Sequence, residues 1–155
     1  MTTKIIISET KMEYKSSSLF VSESTIPGAG KGLFTNEPIK KGTRIIEYKG
    51  RIRTWDEVKN ADVFNGYIFY INQNHVIDAK TYVKSYGRYA NDAEGLQRVK
   101  GFSNNSEYQK DGKKVFIHAT RNIPAGAEIL VGYGKDYWET VKENMKLEEE
   151  ENLSE

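Results

Sequence analysis

Apolar residues in this chain come in short runs, and almost every run is closed by Gly, Pro, Asn or Asp. That spacing predicts short strands joined by tight turns. Leu19-Phe20-Val21 and Leu33-Phe34-Thr35 read as strands on either side of a glycine-rich bend. Arg44 to Tyr48 reads as a third, ending at Gly50. Gly66 to Ile71 and His75 to Asp78 pair across Asn72-Gln73-Asn74. Asp111-Gly112, between Glu107-Tyr108-Gln109 and Val115-Phe116-Ile117, is a two-residue hairpin signal. Pro38 to Gly42 and Pro124-Ala125-Gly126 are turns, and Glu128 to Tyr133 is the last strand. Ala93 to Ser106 is rich in Gly, Asn and Ser and reads as a mobile loop.

Two stretches carry helical signals. Thr54 with Glu57 three residues on forms a capping box, which predicts a short helix to about Asp62. After Gly134, Asp136 with Glu139 can cap a second helix, whose Trp138, Val141 and Met145 fall on one stripe. The organisation expected is a polar N-terminal extension over 1–17 with a short edge strand at Ile5-Ile6-Ile7. A single mainly-β domain over 18–134 follows, then a helix over 135–147 and an acidic, disordered tail over 148–155.

Composition narrows the class. A chain of 155 residues, 37% hydrophobic and 29% charged, has room for one real core. A net charge of +1, with basic residues scattered singly, gives no reason to expect direct nucleic-acid binding or an anionic membrane surface. No apolar run approaches the roughly 20 residues that span a bilayer. The absence of cysteine removes disulfides and thiolate metal sites and fits an intracellular location, cytoplasmic or nuclear. His75 and His118 lack metal-ligand spacing, so no metal is expected. Nothing supports a nucleophilic hydrolase.

What remains is a polar crossing, a glycine cluster and a surplus of tyrosine. Tyr86-Gly87-Arg88-Tyr89-Ala90-Asn91-Asp92 follows neither a period of 2 nor one of 3.6, so it is a loop or a buried crossing that needs partners elsewhere. Gly28-x-Gly30-x-Gly32 fits neither a dinucleotide fingerprint nor a phosphate loop, leaving a tight turn or a bare-backbone cradle for a ligand. Ten tyrosines stand against six phenylalanines. Tyr67, Tyr70, Tyr108 and Tyr133 sit beside turns and suit either core packing or a lined channel.

Taken in order, these pieces resemble the SET-domain protein lysine methyltransferases over about residues 18 to 138. Gly28-Ala-Gly-Lys-Gly-Leu-Phe34 is similar to the family's opening glycine segment. Ile77-Asp78-Ala79 resembles its Val-Asp-Ala, and Gly87 to Ala93 stands where the family has Arg-Phe-Ile-Asn-His-Ser. Asn104-Asn105 with Tyr108 resembles Pro-Asn-x-x-Tyr/Phe. Ile123 to Gly134 resembles the closing Ile-x-x-Gly-Glu-Glu-Leu-x-x-x-Tyr-Gly.

The resemblance implies small curved sheets with a pseudoknot-like core. It also implies S-adenosylmethionine as cofactor and a protein bearing a target lysine as partner, histone-like and ribosomal proteins both being compatible. Residue by residue it implies that Gly30, Lys31 and Gly32 hold the cofactor through their main chain, with Asn91 on its amino-acid part and Arg88 and Asp92 beside it. Trp138 would stack on the adenine. Tyr133 would be the catalytic tyrosine, and Tyr67, Tyr70 and Tyr108 would line the lysine channel with it. The chain departs from the pattern at Asp92 (histidine in the family), Gly132 (aspartate) and Val131, and it lacks the cysteine cluster, so the 135–147 helix is expected to close the channel instead. A non-catalytic module that binds cofactor or a lysine peptide is the alternative.

Overall fold

The strands are short because glycine, proline or charge interrupts each one, so no single sheet can hide a core alone. The computed structural model describes residues 16–60, 65–95 and 100–154; in the C-terminal helix some side chains, including those of Asp136, Trp138, Val141 and Met145, fall outside the description. The strand expected at Ile5-Ile6-Ile7 lies outside the described residues.

The strands are β1 (Leu19–Glu23), β2 (Lys31–Thr35), β3 (Arg44–Glu47), β4 (Arg51–Arg53), β5 (Ile68–Asn72), β6 (His75–Asp78), β7 (Ser106–Asp111), β8 (Lys114–Ala119) and β9 (Glu128–Ile129). They form three antiparallel sheets of three strands, ordered β1-β2-β9, β3-β8-β7 and β4-β6-β5. The mainly-β architecture expected from the pattern is the one found. β8 is buried from Val115 to Ala119, as befits a central strand with both faces covered. Leu33, Ile45, Ile117, Ile123, Ile129 and Val131 meet in the main core. A second cluster joins Tyr48, Ile77, Ala79 and Val115, with Phe69 and Tyr108 packed against it.

Local chemistry explains most boundaries and corrects several. The capping box forms, Glu57 N donating to Thr54 Oγ1 at 3.3 Å and Thr54 N to Glu57 Oε1 at 3.4 Å. The helix it starts, α1 (Trp55–Val58), stops well short of Asp62 and buries no residue, so no apolar face extends it. β4 was not expected: Arg51-Ile52-Arg53 reads as polar, and Ile52 is indeed exposed. It pairs with β6, and Arg53 Nη1 donates to Asp78 Oδ2 at 2.9 Å across the pair. Burial would raise the Asp78 carboxyl, but donation from Lys80 N–H, Asn65 and Arg53 outweighs it and holds the group below its ordinary value.

The β7–β8 turn is Gly112-Lys113, with Asp111 paired to Lys114, one residue later than the Asp111-Gly112 expectation. Gly112 carries the left-handed φ of 62° that this turn requires. The final strand is also shorter than the Glu128–Tyr133 expected, because Leu130 and Val131 leave β2 and make parallel bridges to Asn91 and Ser106. The 93–106 loop, expected to be mobile, is tied at both ends: Ala93 N donates to Asn104 Oδ1 and Asn104 N to Glu94 Oε2. Residues 96–99 lie outside the description.

The C-terminal helix, α2 (Lys135–Ser154), takes in Asp136 rather than being capped by it and continues through most of the stretch expected as a disordered tail. Its last turns hold Glu, Leu and Asn with no Gly or Pro to stop them.

Gly50 marks where β3 leaves its sheet and passes β6. A Cβ there would lie 2.5 Å from the Asp78 carbonyl carbon and oxygen, both backbone atoms that cannot step aside. Gly50→Ala is therefore expected to cost about 2–3 kcal/mol through overpacking, read as a fall in the urea midpoint with unchanged slope.

Candidate active site

The glycine bend is closed by Ser24 N donating to Gly30 O at 2.7 Å, and Gly28 and Gly30 take left-handed φ values of 77° and 74°. Beneath it lies Glu128, buried at the start of β9. Its carboxylate accepts from Ser24 Oγ at 2.7 Å, Thr25 N at 2.8 Å and Thr25 Oγ1 at 2.6 Å. A Cβ at Gly32 would overlap Glu128 Oε2, so this glycine exists to let the carboxylate approach. Asn91 completes the group. Its Nδ2 donates to Lys31 O at 2.8 Å and to Glu128 Oε2 at 3.4 Å. With the amide nitrogen so engaged, the carboxamide oxygen is the acceptor left to face outward.

Asp92, the residue next to it, accepts from two backbone groups and one side-chain amide. Oδ2 accepts from Tyr133 N at 2.9 Å, and Oδ1 accepts from Asn104 Nδ2 and Glu94 N, both at 2.8 Å. Tyr133 is thereby fixed at its main chain, and its hydroxyl donates to Ala90 O at 2.6 Å. The glycine bend, Asn91 and Tyr133 are remote in sequence, yet these bonds bring them to one place.

From Tyr133 a column of rings runs inward. Tyr108 stacks on it with centroids 6.4 Å apart, and Phe69 and Tyr48 meet Tyr108 at 5.3 and 5.8 Å. On the outer side the α2 residue Tyr137 meets Tyr133 edge-on at 4.9 Å. Burial pushes the phenols of Tyr48, Tyr108 and Tyr133 well above the ordinary value of 10.0, and it raises Tyr137 too. At Tyr48 the nearby Arg88 charge partly opposes that rise. Such phenols stay neutral across the physiological range, so they can orient a partner by hydrogen bonding but do not act as bases.

Of the residues singled out from the sequence, Gly30, Lys31, Gly32, Asn91, Asp92, Tyr108 and Tyr133 come together. Tyr67 sits at the edge of the group, its carbonyl accepting from Tyr48 Oη at 2.8 Å. Tyr70 does not join: strand alternation turns it away from Phe69, and it is 45% exposed against Trp55 at 5.5 Å. Phe69 takes the inward place expected of Tyr70. Arg88 lies over the Tyr67 ring at 4.1 Å and donates to Lys80 O at 3.3 Å; its described contacts do not include the glycine bend. Trp138 is on α2, and its side chain lies outside the description. Sequence reasoning missed Tyr48, Phe69, Tyr137 and Glu128. The available signal was Tyr48 two residues before Gly50, at the end of an apolar strand.

The raised phenols link stability to pH. In the folded chain they keep their protons where unfolded tyrosines, with ordinary values near 10.0, lose them. The stability they contribute is complete below that value and declines as pH rises above it. Denaturation midpoints are expected to fall between about pH 9 and pH 11, and Tyr133→Phe should flatten the fall.

Comparison with known proteins gives this geometry a family. The SET domain family model matches residues 30–134. The chain is 25% identical over 120 residues to N-lysine methyltransferase KMT5A-A of Danio rerio, covering 70% of this chain but 33% of that protein, about a third of its length. The methyltransferase domain of human PR domain-containing protein 2 has a similar fold, with a TM-score of 0.55 at 23% identity over 76% of this chain and 78% of the other. The three small sheets thus form a SET-domain fold, and, with the family model spanning more than half of its residues, this chain belongs to the SET domain family.

Proposed function

We propose that the protein is an S-adenosylmethionine-dependent protein-lysine N-methyltransferase. The observation that carries this reading is the convergence of the glycine bend, the Asn91 carboxamide and the Tyr133 hydroxyl at the mouth of an aromatic column. The relative from Danio rerio is named as an N-lysine methyltransferase, which points the same way.

The residues present fit the cofactor. Gly30 has open space where a side chain would project, so a ligand can lie against its bare main chain, whereas the bare side of Gly32 is taken by the Glu128 carboxylate. The outward oxygen of Asn91 suits the ammonium of an amino acid moiety. When bound, S-adenosylmethionine would supply a methyl group activated by a sulfonium.

The chain supplies positioning, which is most of what an in-line methyl transfer needs. A free lysine titrates at about 10.4 and is protonated at neutral pH. The apolar rings of Phe69, Tyr48 and Tyr108 disfavour that charged form. The Tyr108 and Tyr133 hydroxyls, kept neutral by burial, can hold the uncharged amine by hydrogen bonds. Asp92 stands where the family's histidine would be, and its carboxylate is occupied by three donors rather than free to hold an ammonium. Tyr137, edge-on to Tyr133, supports α2 as the element that closes the channel.

The test is incubation of the purified chain with a cell extract and isotopically labelled cofactor, followed by mass spectrometry of methylated lysine peptides. Labelled lysine in an extract protein, whether histone, ribosomal or other, is the expected result. Cofactor binding by calorimetry with no labelled product over hours would instead establish the non-catalytic module. Tyr133→Phe is expected to lower kcat by about a hundredfold while cofactor affinity stays within a few-fold. Asn91→Ala should do the reverse, weakening cofactor binding by about tenfold to a hundredfold for loss of a charge-assisted bond.

A further inference from the structure

The family resemblance puts Arg88 beside the cofactor, but its described contacts are with Tyr67, Tyr89 and Lys80 and include none with the glycine bend, Asn91 or Asp92. Its guanidinium carbon is 4.1 Å from the Tyr67 ring centre and 5.0 Å from that of Tyr89. Nη2 donates to Lys80 O at 3.3 Å and Nη1 to Tyr89 Oη at 3.2 Å. Tyr89 Oη in turn donates to Val83 O at 2.5 Å, so the 80–83 segment, Tyr89 and Arg88 brace one another. Nε is buried and finds no acceptor among the described residues. The guanidinium thus rests on two ring faces as well as on its two hydrogen bonds, and the stacking holds it although one donor is unmet.

The main chain of Tyr67 is held independently. Its N–H donates to Asn65 Oδ1 at 2.9 Å, and its carbonyl accepts from Tyr48 Oη at 2.8 Å and Ala79 N at 3.1 Å. Tyr67 as a residue is 37% exposed, so its ring needs a separate brace, and Arg88 is one. We infer that Arg88 is a positioning residue for the protein substrate, fixing the Tyr67 ring as a wall of the mouth through which the target amine enters.

This inference rests on the methyltransferase reading. It is tested by steady-state methyl transfer to unfractionated cell extract, with KM read as the extract concentration at half-maximal rate, beside calorimetry with S-adenosylmethionine. Arg88→Met should raise KM for extract by about tenfold and leave cofactor Kd within about twofold. Arg88→Lys should show the same defect, because an ammonium keeps the charge but not the plane. In a Tyr67→Ala background, Arg88→Met should add nothing further. If Arg88→Met does not fold, Tyr67→Leu removes the same contact from the other side and must raise KM alike. A parallel loss of cofactor affinity, full rescue by lysine, or independent effects in the double variant would each overturn the inference. If the wild type transfers nothing, the methyltransferase reading falls and this one with it. If the wild type transfers and the double-variant effects are independent, only the role of Arg88 falls.

Discussion

Everything at the site depends on one requirement: the segment from Glu128 to Tyr133 crosses the molecule between two loops, and its buried peptide groups must all find partners there. Asn105 serves both sides of Leu130, its Oδ1 accepting from Leu130 N at 2.9 Å and its backbone N donating to Leu130 O at 2.9 Å. The Asn105 Nδ2 group also reaches Glu128 O at 2.9 Å. Val131 N donates to Asn91 O at 2.8 Å, and Tyr133 N to Asp92 Oδ2 at 2.9 Å. Side-chain amides and a carboxylate do here what a neighbouring strand does in a sheet. The 91–94 and 104–106 segments are thereby locked on either side of the crossing.

The crossing sets the chemistry because of where it releases the chain. Leu130 and Val131 are buried, and the half-buried Tyr133 follows at once, so its ring has little freedom once Asp92 has bound its N–H. The same crossing begins at Glu128, whose carboxylate gathers Ser24, Thr25 and Asn91. One six-residue segment therefore connects the glycine bend at one end with the aromatic column at the other. Asp92 and Glu128 are both acidic, yet their lone pairs are turned to neutral donors of the protein. The column they frame holds phenols that burial keeps neutral.

Sequence and structure agree where the information is local. The capping box, the glycine bend, the paired strands around Asn72 and the glycine of the β7–β8 turn are fixed by the conformational limits of a few adjacent residues. They diverge where a distant partner decides. Arg51–Arg53 became a strand with Asp78 across from it, α1 ended early with no residue buried, and β9 was cut short by Asn91 and Ser106.

The candidate site divides in the same way. The family resemblance singled out Gly30, Gly32, Asn91, Asp92, Tyr108 and Tyr133, and the fold brings these residues together. Order alone could not say that Tyr70 faces Trp55, that Phe69, Tyr48 and Tyr137 complete the column, or that Arg88 lies over Tyr67. The direction of a side chain follows from strand register and from contacts made across tens of residues, and these exist only once the chain has closed on itself.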